Sequence, residues 1–173
     1  MKRKSMALLF VLFLLLSGCV HPDKSSDRES PDVVYKYIGY VVKNKPDQLL
    51  VTAFSSNASS QSEAIWVRTQ KQYGLGTKVE VEISGEIETS YPGQAAAKSI
   101  EMIKADSPQG ADITAEYIVA RALNHFKDSS VPVVKAVEYL SSEKLWRVTL
   151  FDDAQSNHSE HVLVFTQDGE LNK

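Results

Sequence analysis

The sequence predicts an α+β protein, in which a small antiparallel β-barrel is followed by one helix and a three-stranded antiparallel sheet (αβββ). Two observations lead to this fold class. From residue 35 to about residue 104, apolar and polar side chains alternate in short runs, which is the period of half-buried strands. After a linker-like segment at residues 105–110, the apolar residues recur with the period of an α-helix, and three more strand-like runs follow.

The first nineteen residues have the parts of an export signal. These parts are a basic start of Lys2, Arg3 and Lys4, an apolar run at residues 7–16, and the sequence Leu16-Ser17-Gly18-Cys19. The apolar run is too short for a helix that crosses a hydrocarbon core of about 30 Å. It therefore predicts a cleaved signal peptide, residues 1–18, rather than a transmembrane helix.

The sequence Leu16-Ser17-Gly18-Cys19 resembles the lipobox of bacterial lipoproteins. In that motif, small residues before a cysteine fit the lipoprotein signal peptidase after diacylglycerol has been attached to the thiol. The resemblance implies that Cys19 carries fatty chains such as palmitate and that the protein is anchored at the extracytoplasmic face of the cell membrane. Two or three chains hold a protein stably, whereas one chain binds only marginally. The alternative is an ordinary secretory signal that leaves one free thiol.

Composition restricts the chemistry of the mature part. Cys19 is the only cysteine, so a lipidated Cys19 leaves no disulfide, no thiolate metal site and no thiol nucleophile. Loss of the signal peptide removes three of 19 basic residues and none of 22 acidic ones, which changes the formal charge from -3 to -6. Such a surface repels phosphate backbones, so no nucleic-acid partner is expected. Residues 19–33 have little to bury and predict a flexible tether.

Residues 34–104 are predicted to form the barrel. The strand-like runs are residues 35–43, 48–54, 64–69, 77–84, 86–90 and 98–103, with a polar turn at residues 44–47. The clearest alternation is Val79-Glu80-Val81-Glu82-Ile83, with an apolar inner face and an acidic outer face. Five or six short strands in so short a stretch favour a closed or partly open barrel, because closure removes exposed sheet edges.

The segment Tyr91-Pro92-Gly93-Gln94 has the proline-then-glycine order of a type II turn. It is either a presented contact loop, with an aromatic ring and an amide, or a corner needed for barrel closure. Together with Gly39-Tyr40-Val41-Val42, Ala64-Ile65-Trp66 and Lys78-Val79-Glu80-Val81, the segment Ser90-Tyr91-Pro92-Gly93-Gln94-Ala95 resembles the DUF3221 family of bacterial (Bacillus-type) lipoproteins. That family is uncharacterised in function. The resemblance covers residues 35–104 and implies a small OB-like barrel.

Residues 111–173 are predicted to form the α+β part. Asp112 or Thr114 can cap a helix that ends near Asp128, and its apolar stripe consists of Ala115, Ile118, Val119, Ala122 and Phe126. Strand-like runs follow at residues 131–140, 145–151 and 161–166. The helix is expected to lie across one sheet face. Val137-Glu138-Tyr139, Trp146-Arg147-Val148 and Asp168-Gly169-Glu170 resemble the PepSY-type module of exported proteins.

No catalytic residue, metal site or cofactor is predicted. His158 and His161 are three residues apart, which on a strand places them on opposite faces, and a polar hairpin tip explains them better. His125 suits the negative end of the helix dipole. Asp152, Asp153 and Asn157 lack the order of a calcium loop and fit turn chemistry. The sequence has neither a Gly-x-Ser-x-Gly elbow nor a phosphate-binding glycine pattern.

Aromatic residues concentrate in the barrel half: Tyr35, Tyr37, Tyr40, Trp66, Tyr73 and Tyr91. They can either stack on sugars, peptides or bases, or serve as core and rim residues of strands. The patterns together predict a lipid-anchored binding or interaction protein of the cell envelope, not an enzyme, with an envelope protein, peptide or glycan as partner. The alternatives are an inhibitor or regulator of a cell-envelope enzyme, as the PepSY resemblance would imply, and, less favoured, an envelope hydrolase.

Overall fold

The computed structural model describes residues 34–55, 61–104, 107–155 and 159–172. The elements are β1 (Val34–Lys45), β2 (Gln48–Ser55), β3 (Gln61–Arg68), β4 (Lys78–Ser84), β5 (Gly93–Met102), α1 (Ala115–His125), β6 (Pro132–Leu140), β7 (Leu145–Asp152) and β8 (His161–Phe165). The expected signal peptide, lipobox and tether, including Cys19, lie outside the described residues.

Strands β1 to β5 form a closed barrel in the order β1-β2-β3-β5-β4, with β4 returning to β1. All neighbours are antiparallel except β3 and β5, which are parallel. The predicted alternation in β4 is confirmed, because Val79, Val81 and Ile83 are fully buried while the glutamates between them face outward. A closed barrel buries the inner faces of all five strands in one apolar core.

Three expectations about the end of the barrel are wrong. Residues 86–90 form no strand, since only Glu88 makes an isolated bridge, to Gln94, and β5 is longer than the expected run at 98–103. The expected type II turn is absent as well, because Gly93 has no positive φ and begins β5 instead. The physical reason is barrel closure: Gly93 and Gln94 must be extended to pair with Ile65 and Trp66 of β3.

Helix α1 begins where one of the two predicted caps lies. The side chain of Thr114 accepts a hydrogen bond from the backbone N–H of Tyr117 at 3.3 Å, as an N-cap does. The helix ends at His125, not near Asp128, because the N–H of Phe126 bonds to the carbonyls of Ala122 and Leu123 and tightens the last turn. Within the described ranges, no helix has the length and apolar character to cross a bilayer.

The barrel and the α+β part share one core. Strands β6, β7 and β8 form an antiparallel sheet in that order. Strand β2 is buried on both sides: Leu49 and Val51 face the barrel interior, whereas Leu50 belongs to a second apolar cluster that includes residues of α1, β6 and β7. This shared core contains Val42, Leu50, Ala64, Ile118, Val119, Ala122, Leu123, Val131, Val134, Trp146, Val148, Leu150 and Phe165. The outer face of the barrel is therefore part of the hydrophobic core.

Polar contacts also join the two parts. The Lys43 ammonium donates to the Ser129 carbonyl at 2.7 Å, and the Thr52 hydroxyl donates to the Pro132 carbonyl at 3.0 Å. Gly110, the last residue of the linker-like segment, also contacts the α+β part: its carbonyl accepts hydrogen bonds from the Tyr139 hydroxyl and the Gln167 amide. Each of these bonds satisfies a backbone carbonyl that the strand ladders leave open.

Candidate functional site

The barrel aromatics do not form one exposed stacking face. Tyr37 is inside the barrel, where its hydroxyl donates to the carbonyls of Val51 and Glu63 at 3.0 and 2.7 Å. Burial raises the pKa of Tyr37 far above its ordinary value, and the nearby charge of Glu63 adds to this effect. Tyr37 is therefore a core residue, whose hydroxyl bonds β1 to its neighbour β2 and to β3 beyond it.

Two other aromatics cover the outside of the barrel. Tyr40 and Trp66 are partly buried and pack against the shared core. Burial raises the pKa of the Tyr40 hydroxyl, with a smaller contribution from Glu116. Lys45 lies over the Trp66 ring, with its ammonium 3.9 Å from the ring centroid. Of the six aromatics, only Tyr35 (37% exposed) and Tyr91 (55% exposed) have a substantial part of their surface open to solvent.

The sequence suggests that residues 91–94 form either a contact loop or a corner of the barrel. In the structure, the two halves of this segment have different roles. Gly93 and Gln94 belong to β5, where they pair with β3. Tyr91 and Pro92 lie outside the strand, joined by a cis peptide bond. The Tyr91 hydroxyl donates to a carboxylate oxygen of Asp153, in the segment after β7. The exposed part of this loop thus contacts the α+β part of the chain.

A pocket of about 400 Å³ lies where α1 ends and β8 begins. It brings together His125 and His161, which are far apart in the sequence, beside Asp128 and Asp152. The His161 ring packs against Phe126, with centroids 4.9 Å apart. Within the described part of the chain, no group of three such side chains could hold a metal ion. His158 and Asn157 lie outside the described residues.

Asp152 is held by the backbone around this pocket. Its carboxylate accepts hydrogen bonds from the N–H groups of Ser130, Val131 and Ala154 at 3.0 to 3.1 Å. Burial acts to raise the pKa of Asp152, but the backbone hydrogen bonds outweigh it and hold the pKa below its ordinary value. Asp152 therefore fixes the loop that leads into β6, which agrees with the turn chemistry expected for it.

A second cleft, of about 260 Å³, separates β6 from the outside of the barrel. We call it the junction cleft. One wall is formed by consecutive residues of β6, and the other by β1, β2 and the first residue of β4. The lining residues are Ile38, Gly39, Tyr40, Ala53, Phe54, Lys78, Val134, Lys135, Ala136 and Val137. Gly39 is required in this wall, because a β-carbon there would collide with the Thr52 carbonyl and with Val51.

The junction cleft combines aromatic rings with cations. The Lys78 ammonium is 5.8 Å from the centroid of the Tyr40 ring, and the Lys135 ammonium is 5.5 Å from that of Phe54. Lys135 also forms an ion pair with Glu160. None of the described residues that line the cleft is acidic. The cleft can therefore receive a ligand with negative charge and some apolar surface.

The sequence patterns do not predict this site, although the sequence contains one signal of it. Lys135 interrupts the apolar run Val131-Pro132-Val133-Val134 and Ala136-Val137. A lysine within such a run is typical of a strand at the edge of a sheet. The residues across the cleft from Lys135 come from positions 38–54 and from Lys78, and no local pattern connects those positions with β6.

The described residues define a mostly β protein with a closed five-stranded barrel, one helix and a three-stranded sheet. The family model described as a protein of unknown function, DUF3221, matches residues 38–104, which supports the resemblance of the barrel motifs to that family. No curated protein and no solved structure matches the chain.

Proposed function

We propose that this chain is a lipid-anchored extracytoplasmic protein that binds a ligand in the junction cleft. One observation carries the binding role: the edge strand β6, two aromatic rings and two lysines surround the same cleft of about 260 Å³. Binding sites are typically concave, with apolar walls and a few placed polar groups. The partner is a protein, peptide or glycan of the cell envelope.

The N-terminal sequence supports the anchoring part of the proposal. Lys2, Arg3 and Lys4 precede an apolar run that is too short to span a bilayer, and Leu16-Ser17-Gly18-Cys19 follows it. Lipid on Cys19 would attach the folded part to the outer face of the membrane. A tether of residues 19–33 would let the cleft reach partners beyond the headgroups.

The fold supports a ligand site at the margin of the barrel. The order β1-β2-β3-β5-β4 with a parallel β3–β5 pair supports an OB-like assignment. Such barrels bind ligands on the face of strands 2 and 3 and with adjacent loops. In this chain Leu50, Ala64 and Trp66 of that face pack into the shared core. The junction cleft, at the β1 side of β2, is the part of this region that stays open.

The second part of the chain supports a module of the PepSY type only through its order of elements. One helix is followed by three antiparallel strands, which is the order that the resemblance implies. In the proposal this part has one role, which is to supply β6 as a wall of the cleft.

Photocrosslinking in the native membrane tests the binding role. A photoreactive amino acid replaces Ile38, which lines the cleft and is 47% exposed. The matched control replaces Val162, which is 54% exposed on β8 and does not line the cleft. We expect a discrete crosslinked product from position 38 and none from position 162. The same products from the two positions, or none from position 38, would contradict the proposal.

A further inference from the structure

We infer that the junction cleft binds an extended peptide segment with carboxylate side chains, and that this segment adds to β6 as a further strand. The inference rests on the proposed function, because it names the ligand class of the same cleft. It depends on the free edge of β6, on the charges of the cleft and on the character of the opposite wall.

Strand β6 presents an edge to the cleft. It is the first strand of the sheet order β6-β7-β8, and among the described residues β7 is its one ladder partner. Four consecutive residues, Val134 to Val137, line the cleft. Successive side chains of a strand point to opposite faces, so a wall made of consecutive residues exposes backbone. Unpaired backbone groups at an edge are a template for an added strand.

The edge is open only beyond the start of β6. At the start, the Thr52 hydroxyl donates to the Pro132 carbonyl and holds β6 against the barrel. The register with β7 then shifts between Val134 and Ala136, which leaves Lys135 as the extra residue of a bulge. From Ala136 to Leu140 the register is regular again. A peptide that enters the cleft therefore meets a regular strand edge next to the Lys135 ammonium.

The charges of the cleft select an acidic segment. Lys78 and Lys135 are the charged residues among its described lining, in a chain whose formal charge is -3. Both side chains are partly buried, so their charges are screened less than those of exposed lysines. Glu160 neutralises Lys135 in part, whereas Lys78 has no carboxylate within ion-pair distance among the described residues. A carboxylate on the ligand would supply that partner.

The wall opposite β6 favours a ligand in which acidic and apolar residues alternate. Ile38 and Phe54 offer apolar surface across from the edge of β6. An extended peptide in which acidic and apolar residues alternate places carboxylates on one face and apolar side chains on the other. Such a segment can satisfy the lysines and the apolar wall together, and its backbone can satisfy β6.

Peptide binding to the purified full lipoprotein in detergent micelles tests the charge selection. The probe is a fluorescein-labelled octapeptide of alternating valine and glutamate, and the control probe alternates valine and lysine. We expect saturable binding of the first peptide only. Lys78→Glu and Lys135→Glu should each weaken that binding about tenfold, the loss of one charge-assisted hydrogen bond, whereas Lys127→Glu on an exposed position outside the cleft should not. Equal binding of the two peptides would overturn the inference.

A second measurement tests strand addition without any change in the protein. Two versions of the glutamate peptide carry N-methyl groups on alternate amides, one set on each edge of the extended chain. Since only one edge of an added strand can face β6, one version should lose binding and the other should keep it. Equal affinities of the two versions would overturn strand addition.

The two proposals can fail separately. A crosslinked partner at position 38, without binding of the glutamate peptide, would overturn the ligand class and leave the proposed function standing. Self-association of the full chain that Lys135→Glu abolishes, again without peptide binding, would assign the cleft to a second copy and overturn the inference. Absence of the crosslink and of peptide binding would overturn both.

Discussion

Gly76 lies so close to helix α1 that a β-carbon on it would come within 2.5 Å of the Glu116 carbonyl oxygen and 2.7 Å of the Ala120 nitrogen. Its own N–H donates to the Val41 carbonyl of β1 at 2.8 Å. The turn that precedes β4 is therefore held between the barrel and the helix, backbone against backbone. No side chain larger than hydrogen fits at this position.

Gly76→Ala should destabilise the protein far more than Gly85→Ala. Both glycines have positive φ, of 81° and 88°, but a β-carbon on Gly85 would meet nothing within 4 Å. Gly85→Ala therefore costs only the backbone strain, about 1 kcal/mol. Gly76→Ala adds a collision with backbone atoms and should lower the free energy of unfolding by about 4 kcal/mol. Urea unfolding followed by circular dichroism measures the two values, and equal losses would contradict the tight contact with α1.

The shared core predicts that the barrel and the α+β part unfold together. The two tryptophans report on one part each, Trp66 in β3 and Trp146 in β7. In Trp66→Phe and in Trp146→Phe, the fluorescence of the remaining tryptophan should give the same urea midpoint as circular dichroism. Fluorescence and circular dichroism midpoints that differ within either variant would contradict a common unfolding transition.

Leu50→Ala extends this prediction. Leu50 belongs to the barrel but is buried in the shared core, which also contains residues of α1, β6 and β7. Its truncation should lower the free energy of unfolding by roughly 2 to 4 kcal/mol. The urea midpoint should fall by the same amount in the Trp66→Phe and Trp146→Phe backgrounds. A shift that affects the Trp66 reporter alone would show that Leu50 stabilises only the barrel.

Local patterns predicted the features that depend on local physics. The alternation of Val79, Val81 and Ile83 predicted β4 and its buried face, and Thr114 was among the predicted caps of α1. The start of β5 was missed because Gly93 is extended by its parallel pairing with Ile65, a contact that depends on barrel closure. No local pattern indicates such a pairing.

The junction cleft was missed for the same kind of reason. Its walls come from β1, β2 and Lys78 of β4 on one side and from β6 on the other. They meet because Leu50 and Val42 of the barrel pack into the same core as Val134 of β6. Because side chains alternate along a strand, Leu50 is expected on the outer face of the barrel when Leu49 faces its interior. That the outward face is also buried follows from the packing of the second part of the chain.

The carboxylate of Asp152 predicts a dependence of stability on pH. Its pKa is lowered in the folded state, so its contribution is present above the unfolded-state pKa of about 3.9 and is lost as the pH falls through the lower folded-state value. Asp152→Asn should lower the free energy of unfolding at pH 7 by roughly 2 to 3 kcal/mol, because the amide cannot accept all the backbone N–H groups. Urea unfolding at pH 7 and at pH 3 measures this difference.

The difference between wild type and Asp152→Asn should shrink as the pH falls below about 4, since the wild-type carboxylate is then increasingly protonated. Asp128→Asn is the control, because Asp128 lines the same pocket but is exposed. That substitution should change the free energy of unfolding by at most about 0.5 kcal/mol. If the difference in free energy of unfolding between wild type and Asp152→Asn stays constant from pH 7 to pH 3, the proposed role of the charge is excluded.

Cys19→Ala should abolish fatty-acid attachment, because the sulfur of Cys19 is the atom that would form the thioether with diacylglycerol. In cells fed a clickable palmitate analogue, the wild type should take up the label, and Cys19→Ala should not. The variant should appear either as a precursor that keeps residues 1–18 or as protein released from the membrane fraction. Ser17→Ala is the matched control, since it keeps a small residue before Gly18 and should retain labelling and anchoring. Label on Cys19→Ala, or a wild-type protein whose Cys19 thiol is unmodified by mass spectrometry, would remove the basis for an anchored function.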